Sequence, residues 1–215
     1  MEMRIIWDWN GTLLDDVSAA VNALNRMLVS RNAKPITIDH YRSRFGFPVR
    51  PFYEELGVDL DKWDWDQICE DFHIFVSEEP QQIREDARTA LELAKQLGFE
   101  QCILSALRED ILEDALRKNG LRDYFDFVYG VDNLDGSSKL SRGKELFSAI
   151  GESAENSVLI GDTLHDAEVA RELDIGCVLV SCGHQLAERL SAAGCRIEAS
   201  ITDAVKHVAS LGSKE

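Results

Sequence analysis

Four short stretches carry residue types that can do chemistry together. Asp8-Trp9-Asn10-Gly11-Thr12-Leu13 follows one apolar run, and Ser105-Ala106 follows a second. Lys139 stands in a polar stretch just before a helical pattern, and Gly161-Asp162-Thr163-Leu164-His165-Asp166 follows another apolar run. Carboxylates from separate segments repel each other unless a cation lies between them. Mg2+ takes one or two carboxylates together with water and phosphate oxygens. The Ser105 hydroxyl, the Lys139 ammonium and Gly-rich turns with backbone N–H groups suit an anion such as phosphate. The residue types therefore point to a divalent-cation and phosphate centre.

Such a centre needs a scaffold that gathers distant segments. Short apolar runs alternate here with helical periodicity, which predicts an α/β fold with a doubly wound parallel sheet. Arg4–Trp7 reads as the first strand, and Cys102–Leu104, Phe127–Tyr129, Val158–Ile160 and Cys177–Val180 as later ones. Helical patterns fill the gaps at Asp86–Leu97, Glu109–Asn119, Ser141–Ile150, Ala167–Leu173 and Gln185–Ala193. Gly98, Gly120, Gly151, Gly176 and Gly194 follow these helices, where a C-terminal glycine belongs. Asp15 or Asp16 reads as the cap of a helix carrying Val17, Val21, Leu24 and Leu28 on one face. Between Val17 and Gln82 no buried strand is evident. The expected organisation is an α/β core of residues 1–14 and 86–215, with a helical cap inserted at 15–85. In open parallel sheets, ligands bind outside the carboxyl ends of the strands, where the chemical residues of this chain fall.

Plainer readings compete at several positions. Ser105 could simply cap the following helix. Lys144, five residues beyond Lys139, reads as a solvated helix lysine. His165 reads as a surface helix residue and His184 as a helix cap. Arg44 and Arg50 read as solvated, and Trp63-Asp64-Trp65 as packing in the cap core or at the interface of cap and core.

Composition sets wider limits. The chain of 215 residues carries 39 Asp and Glu against 23 Lys and Arg, a formal charge of −16. A surface that negative repels phosphate backbones, so no nucleic-acid partner is expected. No apolar run is long enough to span a membrane, and Met1-Glu2-Met3-Arg4 does not open a signal peptide. Five cysteines, an odd number without a CxxC pair, fit a reducing cytoplasm and no structural zinc site. No GxxxxGK[ST] segment occurs, which disfavours a P-loop kinase. The expected state is monomer or homodimer.

Asp8-x-Asn10-Gly11-Thr12-Leu13, Ser105 after a strand, Lys139 and Gly161-Asp162-x-x-x-Asp166, in this order, resemble the motifs of the haloacid dehalogenase superfamily. The helical insertion, with Tyr41 to Gly57 and its Phe45-Gly46-Phe47-Pro48 segment, is similar to the cap of phosphoglycolate-phosphatase-like members. The resemblance implies a Mg2+-dependent hydrolase acting on a small phosphorylated metabolite through an aspartyl phosphate. It implies that Asp8 is the nucleophile and that Asp8, the Asn10 carbonyl, Asp162 and Asp166 serve the metal. It further implies that Ser105 and Lys139 hold the phosphoryl group, with Gly11, Thr12 and Ala106 completing the substrate site.

Position 10 departs from the pattern. Phosphatases of the superfamily place there an aspartate that protonates the leaving oxygen and then activates water. Asn10 retains the backbone carbonyl but not the proton. Phosphonate-cleaving relatives also lack this acid and resemble the Asp8-Trp9-x-Gly11-Thr12 segment; they use a cap lysine, for which Lys34 and Lys62 are the candidates here. Two alternatives to the phosphatase follow: a phosphonate hydrolase, or other chemistry of the superfamily that needs no acid at position 10, and a catalytically weak phosphate-binding regulatory protein.

Overall fold

The computed structural model describes residues 3–132, 139–151 and 156–212. Met1, Glu2 and the stretch immediately before Lys139 lie outside the described residues. The chain runs β1 (Arg4–Trp7), β2 (Leu14–Asp15), α1 (Val17–Ser30), α2 (Ile38–Arg44), α3 (Val49–Glu55), α4 (Trp65–Glu78) and β3 (Gln82–Ile83). It continues through α5 (Ala87–Gln96), β4 (Glu100–Arg108), α6 (Glu109–Lys118), β5 (Phe127–Val131), α7 (Lys139–Ile150) and β6 (Ser157–Gly161). It closes with α8 (Leu164–Glu172), β7 (Gly176–Val180), α9 (Ala187–Leu190), β8 (Arg196–Glu198) and α10 (Ile201–Gly212).

Six parallel strands form the sheet in the order β5-β4-β1-β6-β7-β8. This is the doubly wound arrangement, with β1 at the centre and the winding direction reversing beside it. Residues of β1 are buried on both faces, as a central parallel strand requires. Ile5 and Trp7 join the apolar layer under α5, α6 and α10, while Ile6 joins the opposite layer under α7 and α8. Asp8 and Asp162, just past β1 and β6, therefore emerge side by side at the reversal.

The helices from Val17 to Glu78 hold a separate apolar cluster that includes Leu24, Met27, Tyr41, Phe52 and Ile68. Two short strands, β2 and β3, pair antiparallel where the chain leaves and re-enters the core. Arg84 braces this neck by donating to the Gly11 and Thr12 carbonyls at 2.9 and 3.1 Å. As expected, no strand lies between Val17 and Gln81; β2 and β3, which flank that stretch with two residues each, were not expected. Strand β8 and helix α10 were not expected either; β8 is too short, at Arg196–Glu198, to show a period. Gly176 does not end α8. It opens β7, and Asp174, at φ 56°, takes the left-handed position instead.

Candidate active site

Strand β4 loses register with β5 between Leu104 and Arg108, so Ser105 and Ala106 leave the regular ladder beside Asp8. Helix α6 begins four residues later, with Arg108 at its cap position. Ser105 is therefore not the helix cap; its Oγ accepts from Leu107 N–H at 3.0 Å and lies on the cavity wall with Ala106. Lys139 is the first residue of α7 and is 2% exposed. Its Nζ donates to Asp8 Oδ1 and to Asp166 Oδ1, both at 2.6 Å. Lys144, by contrast, is exposed on the same helix.

Asp166 is held firmly. Its Oδ2 accepts from the Thr163 N–H at 2.9 Å, the Thr163 hydroxyl at 2.7 Å and the Asp162 N–H at 3.2 Å. Asp162 accepts from the His184 N–H at 2.6 Å and from the Thr12 hydroxyl at 3.2 Å. Oxygen atoms of Asp8, Asp162 and Asp166 lie within 4.8 Å of one another, all three residues buried. The cluster thus holds three carboxylates and one ammonium, which touches Asp8 and Asp166.

The electrostatics record that shortage of positive charge. Burial pushes the Asp8 carboxyl up to about 8; Lys139 opposes the rise, while Asp166 and Asp162 add to it. Burial also pushes Asp162 up to about 6, against the nearby His184 and with the Asp166 charge adding to it. Burial disfavours charge on Asp166 too, but the Lys139 ammonium and the Lys139 and Thr163 hydrogen bonds hold its carboxyl below the usual range. A hard divalent cation among these oxygens would supply the missing charge, and the all-oxygen donor set fits Mg2+.

Gly11 and Thr12 take a different part from the expected one. The Gly11 N–H donates to Asp16 Oδ1 at 2.8 Å, and the Thr12 N–H donates to the Trp9 carbonyl at 3.2 Å. Neither residue lines the cavity. Their N–H donors are engaged within the chain, and the Thr12 hydroxyl reaches Asp162. Gly11 has φ 74°, and a Cβ there would lie 2.2 Å from Asp162 Oδ2.

Two further residues complete the site. Asp16 does not cap α1 through its side chain. Its Oδ2 accepts from Asn10 Nδ2 at 2.7 Å, and its Oδ1 lies 3.2 Å from His184 Nε2. His184 Nδ1 lies 3.0 Å from the Tyr41 hydroxyl. Burial disfavours charge on His184, but Asp16 carries its imidazole up to about 9. The Asp15-Asp16 doublet and the Gly183-His184 pair were visible in the sequence, but nothing there shows that they meet across the chain.

The insertion roofs this centre. Arg42 of α2 donates to the Ser181 and Gly183 carbonyls at 2.7 and 2.9 Å, and Gln185 Nε2 donates to the Phe45 carbonyl at 2.8 Å. Phe47 stacks on His165 with ring centroids 4.9 Å apart. His165 is therefore no surface histidine: it lines the cavity, and burial and Lys139 hold its imidazole below the usual range. Arg44 pairs with Glu55, and Arg50 lies over the Trp65 ring. Asp64 caps α4, while Trp65 reaches the cavity.

A sequence model described as haloacid dehalogenase-like hydrolase matches residues 5–180. The chain belongs to the haloacid dehalogenase-like hydrolase family. Its sequence is 24% identical over 185 residues to a phosphoglycolate phosphatase of Aquifex aeolicus, covering 85% of this chain and 86% of that protein. It is 25% identical over 192 residues to a phosphoglycolate phosphatase of Caulobacter vibrioides, covering 84% of this chain and 79% of that one. The fold superposes on the crystal structure of a protein from Clostridium acetobutylicum described as a predicted phosphatase, with TM-score 0.81 and 17% identity. That match covers 97% of this chain and 99% of the other. The enzyme thus has the hydrolase fold that its strand-end motifs imply, and no described helix is long and apolar enough to cross a membrane.

Proposed function

We propose that this enzyme is a Mg2+-dependent phosphatase that hydrolyses a small phosphomonoester through an aspartyl phosphate on Asp8. The observation that carries the reading is the cluster of Asp8, Asp162, Asp166 and Lys139 at the strand ends, opening directly into a cavity. Residues Val17–Glu78 serve in this reading as a cap over that cavity. The names of the curated relatives support phosphate-ester hydrolysis. Five free cysteines support a cytoplasmic setting.

Asp8, the Asn10 carbonyl and Asp162 would hold Mg2+, with Asp166 bracing the Lys139 ammonium and the Asp162–Thr163 backbone beside them. Bound there, the cation would offset charge on the carboxylates and phosphoryl oxygens. Lys139 takes Asp8 Oδ1, which leaves Oδ2 as the attacking atom. The Asp8 oxygen bonds to phosphorus as the ester P–O bond breaks, and the leaving oxygen departs with the bond pair. Water then attacks phosphorus, the Asp8–phosphorus bond breaks with its electron pair returning to the carboxylate, and the product phosphate leaves carrying the water's oxygen and protons. Ser105 and Lys139 hold the phosphoryl oxygens in both steps. Asn10 transfers no proton in either. Lys34 and Lys62, the cap lysines that a Schiff-base phosphonate mechanism would call on, are exposed and outside the cavity, which favours the phosphatase reading over that one.

The test is rapid-quench kinetics with an aryl phosphate and Mg2+. About one equivalent of phenol per active site should appear in a burst, followed by slow turnover, with Asp8 phosphorylated on peptide mapping. Asp8→Asn should abolish both phases. Intact mass of fresh protein must show Asn10 undeamidated, because Asn10-Gly11 is prone to that change. No phosphate release from any ester, with no modified Asp8, would refute the reading.

A further inference from the structure

The cavity at Asp8 is far larger than a phosphoryl group requires. Its volume is about 710 Å3, within the range that encloses drug-sized ligands. Phe45, Phe47, Trp65 and Phe72 line it from the insertion, and Leu107 and Ile111 from the core. The four aromatic residues are only half-buried, so they keep ring surface available. Such walls bind flat apolar groups.

The charges around the cavity point the same way. A carboxylate on the leaving group would need a fixed cation, in a chain whose net charge is −16. Among the described residues no arginine lines the cavity. Arg42 is committed to backbone carbonyls of the core, Arg84 to those of the neck, and Arg44 to Glu55. Lys139 is held between two carboxylates. His165 is held under the Phe47 ring, and His184, which also lines the cavity, has both ring nitrogens engaged, one by Asp16 and the other by the Tyr41 hydroxyl. The remaining basic residues on the wall are Lys118, exposed at the end of α6 and not fixed in place, and the half-buried His73 of α4.

Asn10 adds an independent constraint. With no proton to offer, the site suits a leaving oxygen that is stable as an anion. Phenols meet that need; simple alcohols do not.

Resting on the phosphatase reading, we infer that the ester cleaved here has an uncharged aromatic, phenolic leaving group, and that the site rejects leaving groups bearing a carboxylate. This separates it from the substrate named for the phosphoglycolate phosphatases it resembles.

The experiment compares kcat/KM for phenyl phosphate, 4-carboxyphenyl phosphate, 2-phosphoglycolate and acetyl phosphate, with Mg2+ present. The two aryl esters differ mainly by the carboxylate. Phenyl phosphate should exceed 4-carboxyphenyl phosphate by about thirtyfold or more, and 2-phosphoglycolate by more than about a hundredfold. Phe47→Arg, which puts a cation beside His165, should lower the ratio between the two aryl esters about tenfold. Trp65→Arg is the second variant if the first does not fold. Equal or better use of the carboxylate esters, or an unmoved ratio in a folded variant, overturns the inference. Acetyl phosphate is small and needs no leaving-group protonation, so it reports on the underlying reading alone. If it neither releases phosphate nor modifies Asp8, the phosphatase reading has failed, whatever the aryl esters show.

Discussion

Replacing Asn10 with the aspartate usual in such phosphatases should not simply restore a missing acid. In this structure Asn10 Nδ2 donates to Asp16 Oδ2 at 2.7 Å, and Asp16 is 3% exposed. Asn10→Asp would put two carboxylate oxygens where that hydrogen bond now lies. Two unit charges about 4 Å apart repel by roughly 4 kcal/mol at an effective dielectric constant near 20. Taking up a proton instead costs about 4 kcal/mol at pH 7 for a carboxyl with an ordinary pKa near 3.9. Both routes give a similar penalty, and the His184 imidazolium beside Asp16 returns part of it, leaving about 2–4 kcal/mol. For a chain of this size that corresponds to a fall in Tm of about 10 °C. The folded pair binds a proton more tightly than the unfolded chain does. The penalty is therefore absent below about pH 4 and grows as pH rises towards neutrality. Asn10→Asp with Asp16→Asn restores one amide and one carboxylate in exchanged positions. It should recover most of the lost stability and raise steady-state turnover of alkyl phosphates by roughly 10²–10⁴ over the parent. Differential scanning calorimetry at pH 5 and pH 7.5, with phosphate-release assays, measures both effects. The reasoning is refuted if Asn10→Asp melts within about 2 °C of the parent at both pH values, or if the exchange recovers nothing.

Three further outcomes are expected. Metal-free protein should lose stability as pH rises from about 4 towards 8, because Asp8 and Asp162 are pushed up to about 8 and about 6. Mg2+ removes that loss, so its effect on Tm should be larger at pH 8 than at pH 5, and Asp162→Ala should abolish it. Lys139→Met leaves Asp8 and Asp166 buried without their ammonium and should cost about 3–5 kcal/mol by urea denaturation at pH 8, and less at pH 5, where Asp8 is protonated. In Gly183→Ala the new Cβ would lie 2.1 Å from Asp162 Oδ2, so the carboxylate must move. Calorimetric Mg2+ affinity should fall by about tenfold or more.

Much of the fold was legible because central parallel strands are short and apolar. Ile5–Trp7 and Val158–Ile160 stand out from the polar segments around them, and each ends at a carboxylate. Asp8, Asp162, Asp166, Ser105 and Lys139 could be named because their chemistry is rare at such ends. The less visible elements carry weak local signals. β2 and β3 have two residues each and exist only because the neck brings them together. β8 is a three-residue strand paired along β7.

Sequence by itself determined the chemistry on offer: an aspartate at the end of β1, a second acidic motif, one lysine at the start of α7, and an asparagine where an acid is usual. Those are properties of residue type and order, and folding does not change them. The tertiary structure decided which groups share a partner. It turned Asp16 from an expected cap towards Asn10, placed His184 under Tyr41, spent the Gly11 and Thr12 donors, and faced the cavity with half-buried aromatic rings. The physical reason is distance along the chain. Asp16 and His184 are 168 positions apart, and local periodicity carries no information about a contact between segments so far apart.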